Sequence, residues 1–181
     1  MARLPYVDPV SAPEPVRDAL ARVPPLNIFR MMANAETAFR PWLRWGRVLL
    51  ADLALDPLLR ELSILRVARL TPNAEYEWVQ HVAIAQAVGA SDEQVGALER
   101  DEADADCFSP EQRLVLRFTT EVVEHAQASD ETLDHLTKVL SPREIVELLM
   151  VIGQYMMVAR VMATTRMELD EPAGADALSG G

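Results

Sequence analysis

From residue 27 onward, apolar residues return every three or four positions, and the stretches that carry them are punctuated by proline, glycine and capping side chains. That period belongs to helices with one buried face. It predicts helices over 28–38, 40–54, 57–70, 73–88, 92–100, 110–126, 130–139 and 142–166. Asp56-Pro57, Thr71-Pro72, Ser109-Pro110 and Ser141-Pro142 each set a capping side chain before a proline suited to the first helical position. Ser109 and Ser141 continue into capping boxes with Gln112 and Glu144. Gly89 is expected to stop the helix that runs through Val88. No stretch alternates with the period of two that a strand requires, so the expected fold class is all-α.

Residues 1–27 hold Pro5, Pro9, Pro13, Pro15, Pro24 and Pro25 and read as a Pro-rich arm over the body or over a neighbouring subunit. A short helix fits between Pro15 and Val23. Residues 28–170 read as a single helical domain, and 171–181 as a flexible tail. The longest helix, from Pro142, lines up Ile145, Leu148, Ile152, Tyr155, Ala159 and Met162 for a core or an interface. Met150, Met156, Met157, Met162 and Met167 suit either core filling or an adaptable pocket wall.

Composition narrows the chemistry. At 181 residues, half of them apolar, the chain suits one domain with a sizeable core. Its net charge of −11 opposes nucleic-acid binding, which needs clustered Lys and Arg. The charge is uneven, however: residues 1–50 hold seven Arg against four acids, so an anion site is expected to draw on the first half. Lys138 is the only lysine and sits on a polar helix, which leaves no buried amine for Schiff-base chemistry. Cys107 is the only cysteine, and its acidic neighbours oppose thiolate formation. No uninterrupted apolar run reaches about 18 residues and no basic-then-apolar leader opens the chain, so a cytoplasmic protein with no membrane partner is expected. Nucleophile-elbow, phosphate-loop and dinucleotide signatures are missing, and no cofactor is expected. No histidine lies three residues after a Glu, as a di-iron bundle requires, and one imidazole with carboxylates is a poor transition-metal set, so no metal is expected either.

The remaining candidate chemistry is concentrated in Ala74 to His81. Glu77 and His81 are four residues apart on a predicted helix, where a carboxylate can orient an imidazole and raise its basicity. Glu121 with His125 and Glu131 with His135 share that spacing, but Trp78, Val79, Val82 and Ala85 give the first pair an apolar setting that favours function. Tyr76 and Trp78 flank Glu77 as a phenol and an aromatic wall, with core packing favoured for Trp78. Trp42 and Trp45 read as structure or pocket wall.

This run, with Arg60-Glu61-Leu62 upstream, Ala85-x-x-x-Gly89 downstream, and Leu140-Ser141-Pro142-Arg143-Glu144 leading to Tyr155 and Arg160, resembles the carboxymuconolactone decarboxylase family, which includes the alkylhydroperoxidase D-like proteins. The likeness spans about Leu26 to Asp170. It implies an alkylhydroperoxidase D-like helical domain and a homo-oligomer, trimer or hexamer. In the peroxidase branch a Cys-x-x-Cys pair precedes the histidine, and the matching positions here are Ala74 and Glu77. Disulfide chemistry needs two thiols, so the expectation shifts to proton transfer on a small unsaturated carboxylated or lactone-like metabolite. The resemblance implies His81 and Glu61 as catalytic residues, and Glu77, placed by its spacing to orient His81, completes the catalytic set. Tyr76, Trp78, Arg66, Tyr155 and Arg160 are the expected substrate contacts, with Arg47 a further candidate for a carboxylate. A redox protein using Cys107 with an outside thiol, and a non-catalytic ligand-binding member, are the alternatives.

Overall fold

The computed structural model describes residues 1–171, and the tail expected over 171–181 lies almost wholly outside them. Nine helices form among the described residues: α1 Glu14–Leu20, α2 Asn27–Met32, α3 Glu36–Ala51, α4 Pro57–Leu70, α5 Glu75–Ala87, α6 Asp92–Glu99, α7 Pro110–His125, α8 Asp130–Leu136 and α9 Pro142–Thr165. No strand occurs among them, so the fold is all-α with a long C-terminal helix. Three of the four predicted caps act as the local chemistry requires, and Ser91 adds one that was not predicted. Asp56 accepts from the amides of Leu58 and Leu59, while Ser91, Ser109 and Ser141 form reciprocal boxes with Gln94, Gln112 and Glu144. Gly89 takes φ 110°, a conformation open to a residue without Cβ, directly after α5.

Two boundaries differ from the sequence pattern. Thr71-Pro72 does not open α5: the Thr71 hydroxyl donates back to the Val67 carbonyl at 2.8 Å and closes α4. Asn73 then takes φ 61° in a tight reversal, and α5 begins at Glu75 without a side-chain cap. The reversal returns α5 onto α4, and tertiary packing outweighs the local start signal. The break expected at residue 39 falls earlier, at 33–35: α2 ends at Met32, and α3 runs from Glu36 through buried Phe39 with Pro41 inside it, which leaves the exposed Thr37 carbonyl without its helical donor.

The centre of the molecule is α4, which packs against α5, α7 and α9. Every residue from Leu59 to Ala68 is buried, including Arg60, Glu61, Ser63 and Arg66. A helix enclosed on all sides must pair its charges internally. On one side of α4, Leu59, Ile64 and Val67 join Val115, Phe118, Leu148 and Ile152. On another, Leu62 and Leu65 meet Ala85, Leu98 and Phe108. Glu147 of α9 pins the turn before α4 by accepting from the amides of Ala54 and Leu55 at 2.8 and 2.9 Å. Helix α9 has the length and mean hydropathy, 1.6, of a membrane span, but half of that window is buried in the bundle as a core helix. Its outer face exposes Val146, Leu149, Met150 and Met157.

The N-terminal arm folds back onto its own chain. The Arg3 amide donates to the Thr165 carbonyl and the Val7 amide to the Arg30 carbonyl, at 2.7 and 3.1 Å. Val16, Ala19 and Leu20 of α1 close over Phe39 of α3. Beyond α9 the chain crosses back to α2 and α5, where Asp170 accepts from the Asn27 amide at 2.6 Å and the Tyr76 hydroxyl at 2.7 Å. The arm, α3, α5 and α9 thereby enclose a space.

Candidate functional site

That space is a cavity of about 510 Å³, lined by the end of the arm and by α2, α3, α5 and α9. Each wall follows from helical spacing. On α5, Glu77, Gln80, His81 and Ile84 share one face and line it, whereas Trp78, Val82 and Ala85 turn to the core against α4 and α6. Tyr155, Val158 and Met162 form the corresponding stripe of α9, and Trp42, Leu43, Gly46 and Leu50 that of α3.

His81 sits at the floor of this cavity, and its partner is Glu61, not Glu77. Its Nδ1 lies 2.8 Å from Oε2 of Glu61. Arg60 Nε donates to the other oxygen of Glu61 at 2.9 Å, and Arg60 also donates to the Leu50 carbonyl of α3 at 2.7 Å. Burial alone would raise the Glu61 pKa, but the charge and hydrogen bond of His81, then those of Arg60, hold it below the usual carboxylate value. An ionised carboxylate only accepts, so Nδ1 of His81 is the donor in this pair, and Nε2 is the ring nitrogen left for another partner. Tyr155 stands edge-on to the imidazole, with ring centroids 4.8 Å apart at 89°. The ring is therefore oriented by a polar clamp on one side and an aromatic edge on another.

Glu77 has no such clamp. It is 2% exposed and its Oε2 has no hydrogen-bond partner among the described residues. The expected within-helix pairing with His81 does not form, because Glu61 already occupies Nδ1 from the neighbouring helix. Burial pushes the Glu77 pKa well above the ordinary carboxylate value, so its neutral acid form is favoured. In that form it offers an O–H rather than a charge.

The other sequence candidates divide clearly. Tyr76 and Tyr155 line the cavity, and the Tyr76 hydroxyl is committed to Asp170. Arg47 also lines it. Arg66 does not: it faces α7 and the loop after α6, donating to Thr120 at 2.9 Å and pairing with Asp101. Arg160 is exposed and donates to the Met156 carbonyl of its own helix, away from the cavity. Trp78 packs between two core clusters. Of the five methionines considered as pocket wall, only Met162 contributes. Cys107 lies outside the cavity, beside the Glu93 carbonyl, and burial followed by the Glu93 charge raises its thiol pKa. No group of three His, Cys, Asp or Glu side chains able to hold a metal occurs among the described residues. Sequence reasoning missed Arg60, the residue that secures Glu61. Its signal was two adjacent ionisable residues inside an apolar run, where burial obliges a charge to be paired.

Fold and site together define a helical domain of the alkylhydroperoxidase D-like class without a thiol pair. The sequence profile of the carboxymuconolactone decarboxylase family matches residues 36–121, which contain α3, α4 and α5 and hence the Arg60, Glu61 and His81 clamp. Over those residues the chain is similar to that family. No protein of curated function matches the chain. Among solved structures, an alkylhydroperoxidase AhpD core described as an uncharacterized peroxidase-related protein from Ralstonia eutropha JMP134 is similar at 18% identity. That match covers 98% of this chain and 94% of the other, with a TM-score of 0.81. An uncharacterized peroxidase-related protein from Silicibacter sp. TM1040 is similar at 19% identity, covering 93% and 92%, with a TM-score of 0.78. The debrominase Bmp8, as a cysteine-to-alanine variant in complex with 2,3,4-tribromopyrrole, is similar at 16% identity, covering 94% of each chain, with a TM-score of 0.75. At such identities the likeness concerns the fold.

Proposed function

We propose that the protein is a cofactor-independent proton-transfer enzyme, decarboxylase-like, acting on an unsaturated carboxylated or lactone-like metabolite. The observation that carries this reading is the buried chain from the Leu50 carbonyl through Arg60 and Glu61 to His81, which ends at an open cavity. A carboxylate that accepts from Nδ1–H fixes the orientation of the imidazole, leaves Nε2 to exchange a proton with a substrate, and stabilises the imidazolium whenever both nitrogens carry hydrogen. In a decarboxylation the bond to the carboxylate carbon breaks, its electron pair passes into the conjugated system, and His81 as imidazolium delivers a proton to carbon. Neutral Glu77 donates a hydrogen bond to the oxygen on which negative charge accumulates. Tyr155 fixes the imidazole plane, and the apolar walls exclude water.

Peroxide reduction through a disulfide has no support here, because Cys107 is the only thiol and lies off the cavity. The exposed apolar stripe of α9 supports assembly as a homo-oligomer through that face.

The test is a turnover screen of unsaturated lactones and carboxylated ring compounds in deuterated water, following product and deuterium incorporation by NMR. Wild type and His81→Ala are compared after size-exclusion chromatography has shown the same assembly. Loss of about 10²- to 10⁴-fold in kcat is expected on removal of the imidazole. Equal rates would remove His81 from the mechanism.

A further inference from the structure

Two features of the cavity are not accounted for by proton transfer at His81. The first is a concentration of unpaired positive charge. Arg40, Arg44 and Arg47 recur at helical spacing along α3 and all line the cavity, where Arg22 joins them from the arm. All four are exposed at its opening, and none of their side chains forms an ion pair or hydrogen bond among the described residues. The acids in the same lining are Asp18, at the surface, and Glu77, which burial keeps neutral. In a chain of net charge −11, this opening reverses the sign of the surrounding field and attracts anions.

The second feature is unsatisfied hydrogen bonding. Trp42 Nε1 and Glu77 Oε2 are the buried side-chain polar atoms without a partner among the described residues, and both residues line this one cavity. An indole N–H can only donate, and a neutral carboxyl supplies a second donor. Native proteins leave few such groups unpaired, so two at one cavity point to an acceptor supplied by a ligand. Between these donors and the arginines the walls are apolar, made by Ile28, Phe29, Leu43, Ile84, Val158 and Met162. A volume of about 510 Å³ is that of a site for a ligand with a substantial body, larger than a small polar diacid fills.

We infer that the cavity binds an amphipathic anion: an aromatic or polyunsaturated body against the apolar walls, an acceptor oxygen for Glu77 and Trp42, and an acidic group held by the α3 arginines. This deepens the proposed function by naming its substrate class, and it rests on the same cavity being the substrate site. The arginines supply capture and register, with His81 at the opposite, inner end.

Two fluorescent probes separate charge from shape: 1-anilinonaphthalene-8-sulfonate and N-phenyl-1-naphthylamine, which share the ring system and differ in the sulfonate. Wild type is expected to bind the sulfonate about tenfold or more tightly than the amine, since charge-assisted bonds reach that size. Rising salt should narrow the gap. The triple variant Arg40→Gln, Arg44→Gln and Arg47→Gln, shown folded by circular dichroism, should lose the preference and keep its affinity for the amine. Gly46→Leu locates the probe: Gly46 lines the cavity, a Cβ there meets nothing within 4 Å, and the leucine occupies the space. Both probes should then weaken. Equal wild-type affinity for the two probes, undiminished sulfonate binding by the triple variant, or full binding of both by Gly46→Leu overturns the proposal. His81→Ala is expected to retain sulfonate binding. Arginine-dependent binding without any substrate turnover would leave this inference standing and remove the proton-transfer reading, whereas turnover unaffected by the triple variant would do the reverse.

Discussion

Glu61 and Glu77 lie on neighbouring helices of the same site, 0% and 2% exposed, and burial acts on both in the same direction. Their chemical states differ because their neighbours do. Glu61 receives Arg60 on one oxygen and His81 on the other, and its pKa falls. Glu77 has an oxygen without any partner, and its pKa rises. Depth of burial therefore does not decide ionisation in this molecule; the number of donors aimed at the carboxylate does. Two environments on adjacent helices give an anion that orients a base and a neutral acid that can donate, which is the division of roles that proton-transfer catalysis needs.

The most disruptive way to break this contrast is to turn Glu61 into a second Glu77. Arg60→Ala leaves the Glu61 carboxylate buried with one partner fewer and frees the Leu50 carbonyl. A loss of about 3–5 kcal/mol is expected in urea unfolding, the usual penalty for removing one member of a buried ion pair. The pH dependence follows the same logic. The depressed pKa of Glu61 contributes stability that is present above its unfolded value near 4.5 and is lost as pH falls through the folded value. In Arg60→Ala that loss should begin at higher pH. Arg60→Met with Glu61→Leu should recover much of the stability, since apolar replacement of a buried pair is often neutral, yet His81 would remain without its orienting carboxylate. A single variant as stable as wild type would show that Arg60 does not hold Glu61 in its charged state.

The same contrast explains what could be read in advance. Caps at Asp56, Ser109 and Ser141 are legible because donor and acceptor lie within one turn of chain. Glu61, Glu77 and His81 were recognisable as a group, but spacing alone suggests partners on the same helix. The partner of His81 lies 20 residues away and depends on how α5 packs against α4. Arg66 and Arg160 were reasonable anion ligands by residue type. Their directions around α4 and α9 send one to Asp101 and the other to solvent. Of the α3 arginines, Arg47 was a candidate by residue type, while Arg40 and Arg44 were foreshadowed only by the basic bias of residues 1–50. The unpartnered indole of Trp42 has no sequence signal at all: satisfaction of a donor is a property of the packed state.

Glu77 gives the next test. Because its folded pKa lies above its unfolded value of about 4.5, raising pH ionises the unfolded chain first while the folded protein keeps its proton. Stability must therefore fall with rising pH between those two values. Glu77→Gln keeps the shape and cannot ionise. The stability difference between the variant and wild type should change in favour of the variant by about 1.4 kcal/mol per pH unit through that window. Urea titrations at a series of pH values measure it directly. A flat difference would mean that Glu77 is charged in the folded protein and that the two glutamates are alike after all.

The smallest expected effect concerns the residue beside Glu77, and it asks whether a missing partner matters as such or only in the absence of an alternative. The Tyr76 hydroxyl donates to Asp170, which also accepts from the Asn27 amide and is partly exposed. In Tyr76→Phe the carboxylate keeps one donor and can recruit water, so the cost should be about 1 kcal/mol, that of an ordinary hydrogen bond. Burial and the Asp170 contact both raise the Tyr76 pKa, so the phenol remains neutral, and its removal should leave the acid-to-neutral stability profile parallel to wild type. Thermal unfolding across that range checks both statements. A loss approaching that of Arg60→Ala would show that Asp170 depends on Tyr76 as Glu61 depends on Arg60, and the segment after α9 would then count as part of the clamp rather than as its cover.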